Sequence, residues 1–162
     1  MAEALVAFGG NLGNARDTID EAIVRLCDGN AIRLLVRSSD YETPPWGVMD
    51  QPAFVNCVIS VETALPPREL LRRAQIVEAA LGRDRTRETH WGPRTIDIDL
   101  LTYADIVMDT PELTLPHPRL FERAFMLLPL SDLGLDRVIS GRRIRDALAR
   151  VDLRGNVKLP PR

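Results

Sequence analysis

Two aspartates, Asp97 and Asp99, stand two residues apart in the stretch WGPRTIDIDLL. In a strand, residues two apart share a face, so both carboxylates point one way while Ile96, Ile98 and Leu100 point the other. Their Cα atoms are then about 6.5–7 Å apart. Carboxylates at that spacing can converge on a pair of divalent ions about 3.5–4 Å apart. Magnesium suits such a site, because it takes one or two carboxylates and keeps its other positions for water and substrate phosphate. An isolated D-x-D is more often a solvated acidic edge, so the flanking sequence has to decide. An EF-hand is excluded, since no third ligand or glycine follows at its spacing.

Immediately upstream, GRDRTRETHWGPR carries Arg83, Arg85, Arg87 and Arg94 against Asp84 and Glu88. Guanidinium groups match phosphate oxygens, often with two hydrogen bonds at a time. Gly82, Gly92 and Pro93 suit a loop that moves and then locks. Arg94 precedes the aspartate strand closely enough to reach the same phosphates. Lys158 is the chain's one lysine, and it is not placed to serve as a Schiff-base or phosphate-loop lysine, which argues against chemistry that needs one. Arginines beside an aspartate pair, without that lysine, fit a phosphoryl-type transferase.

A third group lies in YETPPWGVMDQPAFVN. Asn56 follows Phe54 by two residues and shares its strand face. An amide offers donors and an acceptor, which can read the edge of a heterocycle. Phe54 and Phe125 can sandwich a flat ring, each contact adding about 0.5–1.5 kcal/mol beyond burial. Trp46 and Trp91 sit in two loops placed to cover it. Aromatics are only 5% of the chain, which makes four at these places suggestive. Spacing alone leaves plain core packing of the two phenylalanines equally open.

The elements that must hold these residues follow from hydrophobic periodicity. Ala4 to Phe8 reads as a buried strand stopped by Gly9-Gly10. GGNLGN turns the chain, and Ile19, Ala22, Ile23, Leu26 and Cys27 recur at helical spacing from Ala15 to about Asp28. Ile32 to Thr43 reads as one long strand ended by Pro44-Pro45, with Leu34, Val36 and Ser38 on one face. Phe54 to Thr63 is a β-branched strand, antiparallel to the one before the proline loop. Pro67 opens a helix carrying Leu70, Leu71, Ala74, Val77 and Leu81 and ending at Gly82. A polar loop spans Arg83 to Thr95. Ile96 to Tyr103 alternates as a strand, with Ile106 to Met108 a candidate to pair with it. AFMLLPL returns to the core, Ile144 to Val151 forms a weaker helix, and the tail after Leu153 reads as irregular. The order strand, helix, strand, strand, helix, strand predicts an α+β fold, a ferredoxin-like α/β sandwich with a mostly antiparallel sheet and helices packed on it.

The whole chain sets the limits. Its 162 residues suit a single domain, 1–162, with one substantial core and no need of disulfides or structural metal. Apolar residues make up 45% and charged residues 27%, with net charge −2. That balance gives no global attraction to nucleic acid or membrane, so any anion site is a local cluster of arginine. Cys27 and Cys57 lack metal-ligand or disulfide spacing and read as buried thiols. No signal peptide and no membrane-length apolar run is evident, which points to the cytoplasm.

Taken together and in order, GGNLGN, YETPPWG, DQPAFVN, GRDRTRETHWGPRTIDIDLL and LTLPHPRLFERAFMLLPL resemble the 6-hydroxymethyl-7,8-dihydropterin pyrophosphokinase family of folate biosynthesis. The resemblance covers about Ala4 to Leu130, and W-G-P-R-x-x-D-x-D is its specific part. It implies transfer of pyrophosphate from ATP, the co-substrate, to the pterin hydroxymethyl group with release of AMP, assisted by two Mg²⁺ ions. By resemblance, Asp97 and Asp99 are the metal ligands, and with Arg83 and Arg94 they form the catalytic set. Gln75, Glu78, Arg85, Arg94, Leu100, Thr114, His117 and Arg123 match ATP contacts. Thr43, Pro45, Trp46, Phe54, Asn56, Trp91 and Phe125 match the pterin pocket, with Gly10 contributing backbone. Phe54 stands where some members have tyrosine, Trp46 where leucine is common, and Pro118 where an aromatic often sits. The arginine loop is one residue longer, so Thr86 or Arg87 stands where members carry a phosphate-binding lysine. The partners implied are small molecules, with the chain a monomer. The alternatives from other classes are a non-catalytic ferredoxin-like module for nucleotide or RNA and a D-x-D nucleotidyl or glycosyl transferase. Against the module stand the acidic pI near 5.7 and the lack of an aromatic stripe.

Overall fold

β1 (Ala2–Gly10) runs through the interior of a six-stranded sheet. Its residues alternate between two cores, Ala4, Val6 and Phe8 into one and Leu5 into the other. The structure is a computed structural model, and it describes residues 1–45, 50–83, 86 and 95–162. β4 (Phe54–Thr63) lies antiparallel to β1, with Gly9 opposite Asn56 and Ala7 opposite Val58. β5 (Asp97–Tyr103) lies antiparallel on β1's other side, with Asp97 opposite Gly9 and Asp99 opposite Ala7.

β2 (Ile32–Arg37) and β3 (Tyr41–Thr43) share the remaining edge of β4, both antiparallel to it. The pairing across the proline loop is therefore as predicted, but the single long strand expected over 32–43 is broken at Ser38–Asp40. Hydrogen bonding gives the reason. Ser38 N donates to Val58 O at 2.9 Å, and Val58 N donates back to Ser38 Oγ at 2.9 Å, so a side chain replaces the ladder carbonyl. Asp40 then turns inward, accepting from Arg16 and Arg37 at 3.0 Å each. Only Ile32 of β2 is buried. The register shifts at Leu35, and Leu34, Leu35 and Val36 are exposed. A bulge flanked by Arg33 and Arg37 blunts this open edge against pairing with other chains.

α1 (Ala15–Leu26) and α2 (Pro67–Ala80) cover one face of the sheet. Asn14 caps α1, its Oδ1 accepting from Asp17 N at 3.3 Å, and Pro67 opens α2 where a missing N–H costs nothing. Ile19, Ile23, Leu26, Leu70, Ala74 and Val77 pack there on β1, β4 and β5. A 3-10 turn at Leu120–Glu122, α3 (Ala124–Leu133) and α4 (Ile144–Leu148) cover the other face. Leu120, Met126, Leu127, Leu130, Ile144 and Ala147 pack on Leu5, Val58 and Leu101. The α+β sandwich with an antiparallel sheet thus matches the expectation, with helices on both faces.

Three shorter pieces differ from the reading of the sequence. β6 (Met108–Asp109) pairs with β7 (Thr114–Leu115) rather than with the aspartate strand. Thr110 closes that hairpin, its Oγ1 donating to Leu113 O at 2.9 Å and accepting from Leu113 N at 3.0 Å. β8 (Val138–Ile139) and β9 (Arg142–Arg143) form a second small hairpin. The tail expected to be irregular contains β10 (Val157–Lys158), which pairs with β3 and extends the main sheet. Cys57 is fully buried and Cys27 partly so; burial pushes their thiols up to about 12 and about 11, so both are inert at neutral pH. Among the described residues no helix is long and apolar enough to cross a membrane.

Candidate active site

Three neighbouring strands bring one row of residues to the same face. Asp97, Gly9 and Asn56 are register partners, and partners in an antiparallel sheet point the same way. Strands about 4.8 Å apart set the aspartate and asparagine backbones about 9–10 Å from each other across the glycine. Gly9 makes this possible, because a Cβ there would lie 2.4 Å from Asn56 Oδ1. The Asn56 amide therefore rests over bare backbone, and its Nδ2 donates to Thr43 Oγ1 at 2.7 Å. Both residues are buried. Phe54 lies on this face opposite Thr43; Pro45 and Phe125 are half-buried, Phe125 at the start of α3. The predicted pocket residues Thr43, Phe54 and Asn56 thus gather on the face that α3, with Phe125, covers, and Pro45 follows two residues after Thr43.

Gly10, expected to contribute backbone, pairs with Val55, whose side chain packs in the opposite core, while Gly9 is the glycine opposite Asn56. Sequence reading also missed Asn11. Its Nδ2 donates to Gln51 Oε1 and to Pro52 O, each at 2.9 Å, and so ties down the far end of the 44–53 loop. The signal was present in GGNLGN: an amide right after a strand that ends in two glycines.

Asp97 and Asp99 are half-buried on one face of β5, while Ile98 and Leu100 enter the core, as the two-residue period requires. Arg83 Nη1 lies 2.9 Å from Asp97 Oδ1 and 2.6 Å from Glu78 Oε2, with its side chain only 4% exposed. The buried guanidinium is thus paired with carboxylate, most closely with Glu78. Glu78 Oε2 also accepts from Ile98 N at 2.8 Å. Glu78, matched by resemblance to ATP, therefore faces inward and fixes both Arg83 and the start of β5. Asp97 and Asp99 offer hard oxygen donors on one surface, and among the described residues no larger cluster of metal-binding side chains occurs. That donor set fits magnesium, which leaves coordination positions for phosphate and water, better than a metal that wants a closed protein cage.

Beyond Asp99 opens a cleft of about 220 Å³, lined in part by Leu71, Asp99, Leu100, Thr114, His117 and Pro118. Three predicted ATP contacts, Leu100, Thr114 and His117, meet there. His117 N donates to Leu101 O at 2.8 Å, and His117 Nδ1 accepts from Arg119 N at 3.1 Å. The neutral ring then carries its proton on Nε2. Burial holds the His117 pKa below the ordinary value. Arg123 is buried, its guanidinium 5.6 Å from the centre of the Phe125 ring. Burial and the neighbouring Arg119 both lower its pKa, and an anion placed between the two cations would relieve that repulsion. Gln75 is exposed on α2. Trp46, Arg85, Trp91 and Arg94 lie outside the described residues.

The chain is similar to known proteins. A family model described as 7,8-dihydro-6-hydroxymethylpterin-pyrophosphokinase matches residues 5–134. A 2-amino-4-hydroxy-6-hydroxymethyldihydropteridine pyrophosphokinase of Methylorubrum extorquens is 43% identical over 155 residues, covering 96% of this chain and 97% of its own. One of the same name from Bacillus subtilis is 41% identical over 130 residues, covering 80% and 77%. Among solved structures, a Plasmodium falciparum HPPK-DHPS with pteroate superposes with a TM-score of 0.72 at 16% identity. It covers 92% of this chain, which spans 42% of that longer one. This likeness shows the ferredoxin-like α+β fold.

Proposed function

The chain belongs to the 7,8-dihydro-6-hydroxymethylpterin-pyrophosphokinase family, and from that premise we propose how its own residues divide the work. The reaction is transfer of pyrophosphate from ATP to 6-hydroxymethyl-7,8-dihydropterin in folate biosynthesis. The single observation that carries the assignment of residues is the row Asp97–Gly9–Asn56 beside the cleft at Asp99. It sets a heterocycle-reading amide at one end and paired carboxylates at the other, next to a cavity for a second ligand.

Asn56, braced by Thr43, reads the polar edge of the pterin, while Phe54 and Phe125 flank its ring. Pro45, Trp46 and Trp91 complete the pocket. Leu100, Thr114 and His117 hold the adenosine end of ATP, with Gln75, Arg85 and Arg123 nearer the phosphates. Asp97 and Asp99 hold two Mg²⁺ ions. Those ions, when bound, neutralise phosphate charge and align its oxygens. Arg83, kept in place by Glu78, and Arg94 donate to the β-phosphate and the departing AMP, where negative charge grows in the transition state. Asp97, at the end of the row nearer the pterin, would also help activate the hydroxymethyl group. Closure of the loops 44–53 and 83–95 would exclude water and so suppress ATP hydrolysis. The proposed working unit is one chain, a single domain over 1–162 acting as a monomer in the cytoplasm.

The test is incubation with MgATP and the reduced hydroxymethylpterin. Pterin-dependent AMP is the expected product. ADP release, or nucleotide binding without turnover, overturns the reading.

A further inference from the structure

The stretch that follows the family-matched residues folds back onto the pterin side of the sheet. β10 pairs with β3, Val157 opposite Glu42 and Lys158 opposite Tyr41. Leu159 N then donates to Asp40 O at 2.9 Å, and Arg16 Nη2 donates to Pro160 O at 2.7 Å. Just before β10 the chain turns through Gly155 at φ +80, where a Cβ would stand 3.1 Å from Pro44 Cγ. Asn156 N closes this turn on Leu153 O at 3.2 Å. From the helical side, Tyr41 Oη donates to Asp132 Oδ1 at 2.8 Å and Ser39 N to Asp132 Oδ2 at 2.9 Å.

β3 has three residues and ends on Thr43, which receives the Asn56 amide. Pro44 follows and opens the pterin loop. So short a strand, paired on one side alone, would fray readily. β10 gives it a second partner, and Gly155 gives Pro44 a wall.

We propose that the Gly155 turn and β10 form a positioning strap for the pterin pocket. By pairing with β3 and packing on Pro44, they fix Thr43 and, through it, the Asn56 amide, without touching substrate. The strap stands at one edge of the sheet, and β5, with the aspartates and the cleft, stands at the other. Its effect therefore falls on pterin rather than on ATP. The proposal rests on the pyrophosphokinase reading above.

The test compares wild type with Gly155→Ala and Gly155→Asn. Asparagine tolerates a positive φ better than alanine does but still carries the colliding Cβ. Titration calorimetry measures binding of the reduced pterin in the presence of a non-hydrolysable MgATP analogue, and binding of that analogue alone. In both variants pterin Kd and KM should rise about tenfold, while analogue affinity and kcat at saturation stay within about twofold of wild type. Pro44→Ala, which removes the ring carbon struck, should weaken pterin binding less than either Gly155 variant does, and should recover most of the loss in the Gly155→Asn background, where positive φ is better tolerated. Equal losses of both ligands, unchanged pterin binding, or no rescue by Pro44→Ala each overturn the strap. A wild type that binds pterin normally in those cases leaves the pyrophosphokinase reading standing. A wild type that never binds pterin defeats both.

Discussion

Asp97 and Asp99 carry the heaviest expectation on single residues. Asp97→Ala and Asp99→Ala should each abolish pterin-dependent AMP formation while leaving the far-UV circular dichroism and melting of wild type nearly intact. The fold should survive because Glu78 still neutralises the buried Arg83 when Asp97 is lost. An active double variant would remove the metal role. The aspartates were legible in the sequence because a two-residue period needs nothing beyond its own strand. Gly9 and Glu78 were not. The value of Gly9 lies in the Asn56 amide resting over it from the neighbouring strand. Besides Arg83, Glu78 binds an amide twenty residues away. Local pattern carries no information about either pairing.

Among elements, β4 is the one that every other part of the main sheet depends on, with β1 along one edge and both β2 and β3 along the other. Ile59 at its middle is fully buried and Leu35 in β2 is exposed at the bulge. Urea unfolding should show Ile59→Ala costing about 2–5 kcal/mol, through lost transfer energy plus a cavity. Leu35→Ala should stay within about 0.5 kcal/mol of wild type. Similar costs at the two sites would contradict this division between centre and edge. The two main helices and the three long strands could be read from periodicity, since each buries a continuous stripe. The break at Ser38 could not, because a hydroxyl standing in for a ladder carbonyl leaves no periodic trace. Nor could β6 with β7, or β10 with β3, since two-residue strands are defined by their partners rather than by their own sequence.

At the scale of the molecule, His117 and Glu3 are among the shifted groups through which stability answers acid. Burial lowers the His117 pKa from 6.5, so the unfolded chain binds that proton more readily than the folded one. Stability is then full above about pH 6.5 and declines as pH falls through that value toward the folded one. The Arg137 ion pair lowers the pKa of Glu3, whose stabilising effect is present above its ordinary 4.5 and is lost as pH falls further. Chemical denaturation from about pH 7 down to about pH 5 should give a falling free energy for wild type and a flatter profile for His117→Gln. An identical slope in the two proteins would show that His117 is not the group responsible.

Lys158 sits on β10 with its side chain more than half exposed, 3.4 Å from Asp132. In a chain whose other basic side chains, histidines aside, are all arginines, an acylating fluorophore finds a single side-chain amine, and it finds it at the margin of the sheet nearest the proposed pterin pocket. The molecule thus arrives with its own attachment point for a dye, where emission could follow occupancy of that neighbouring hollow in real time.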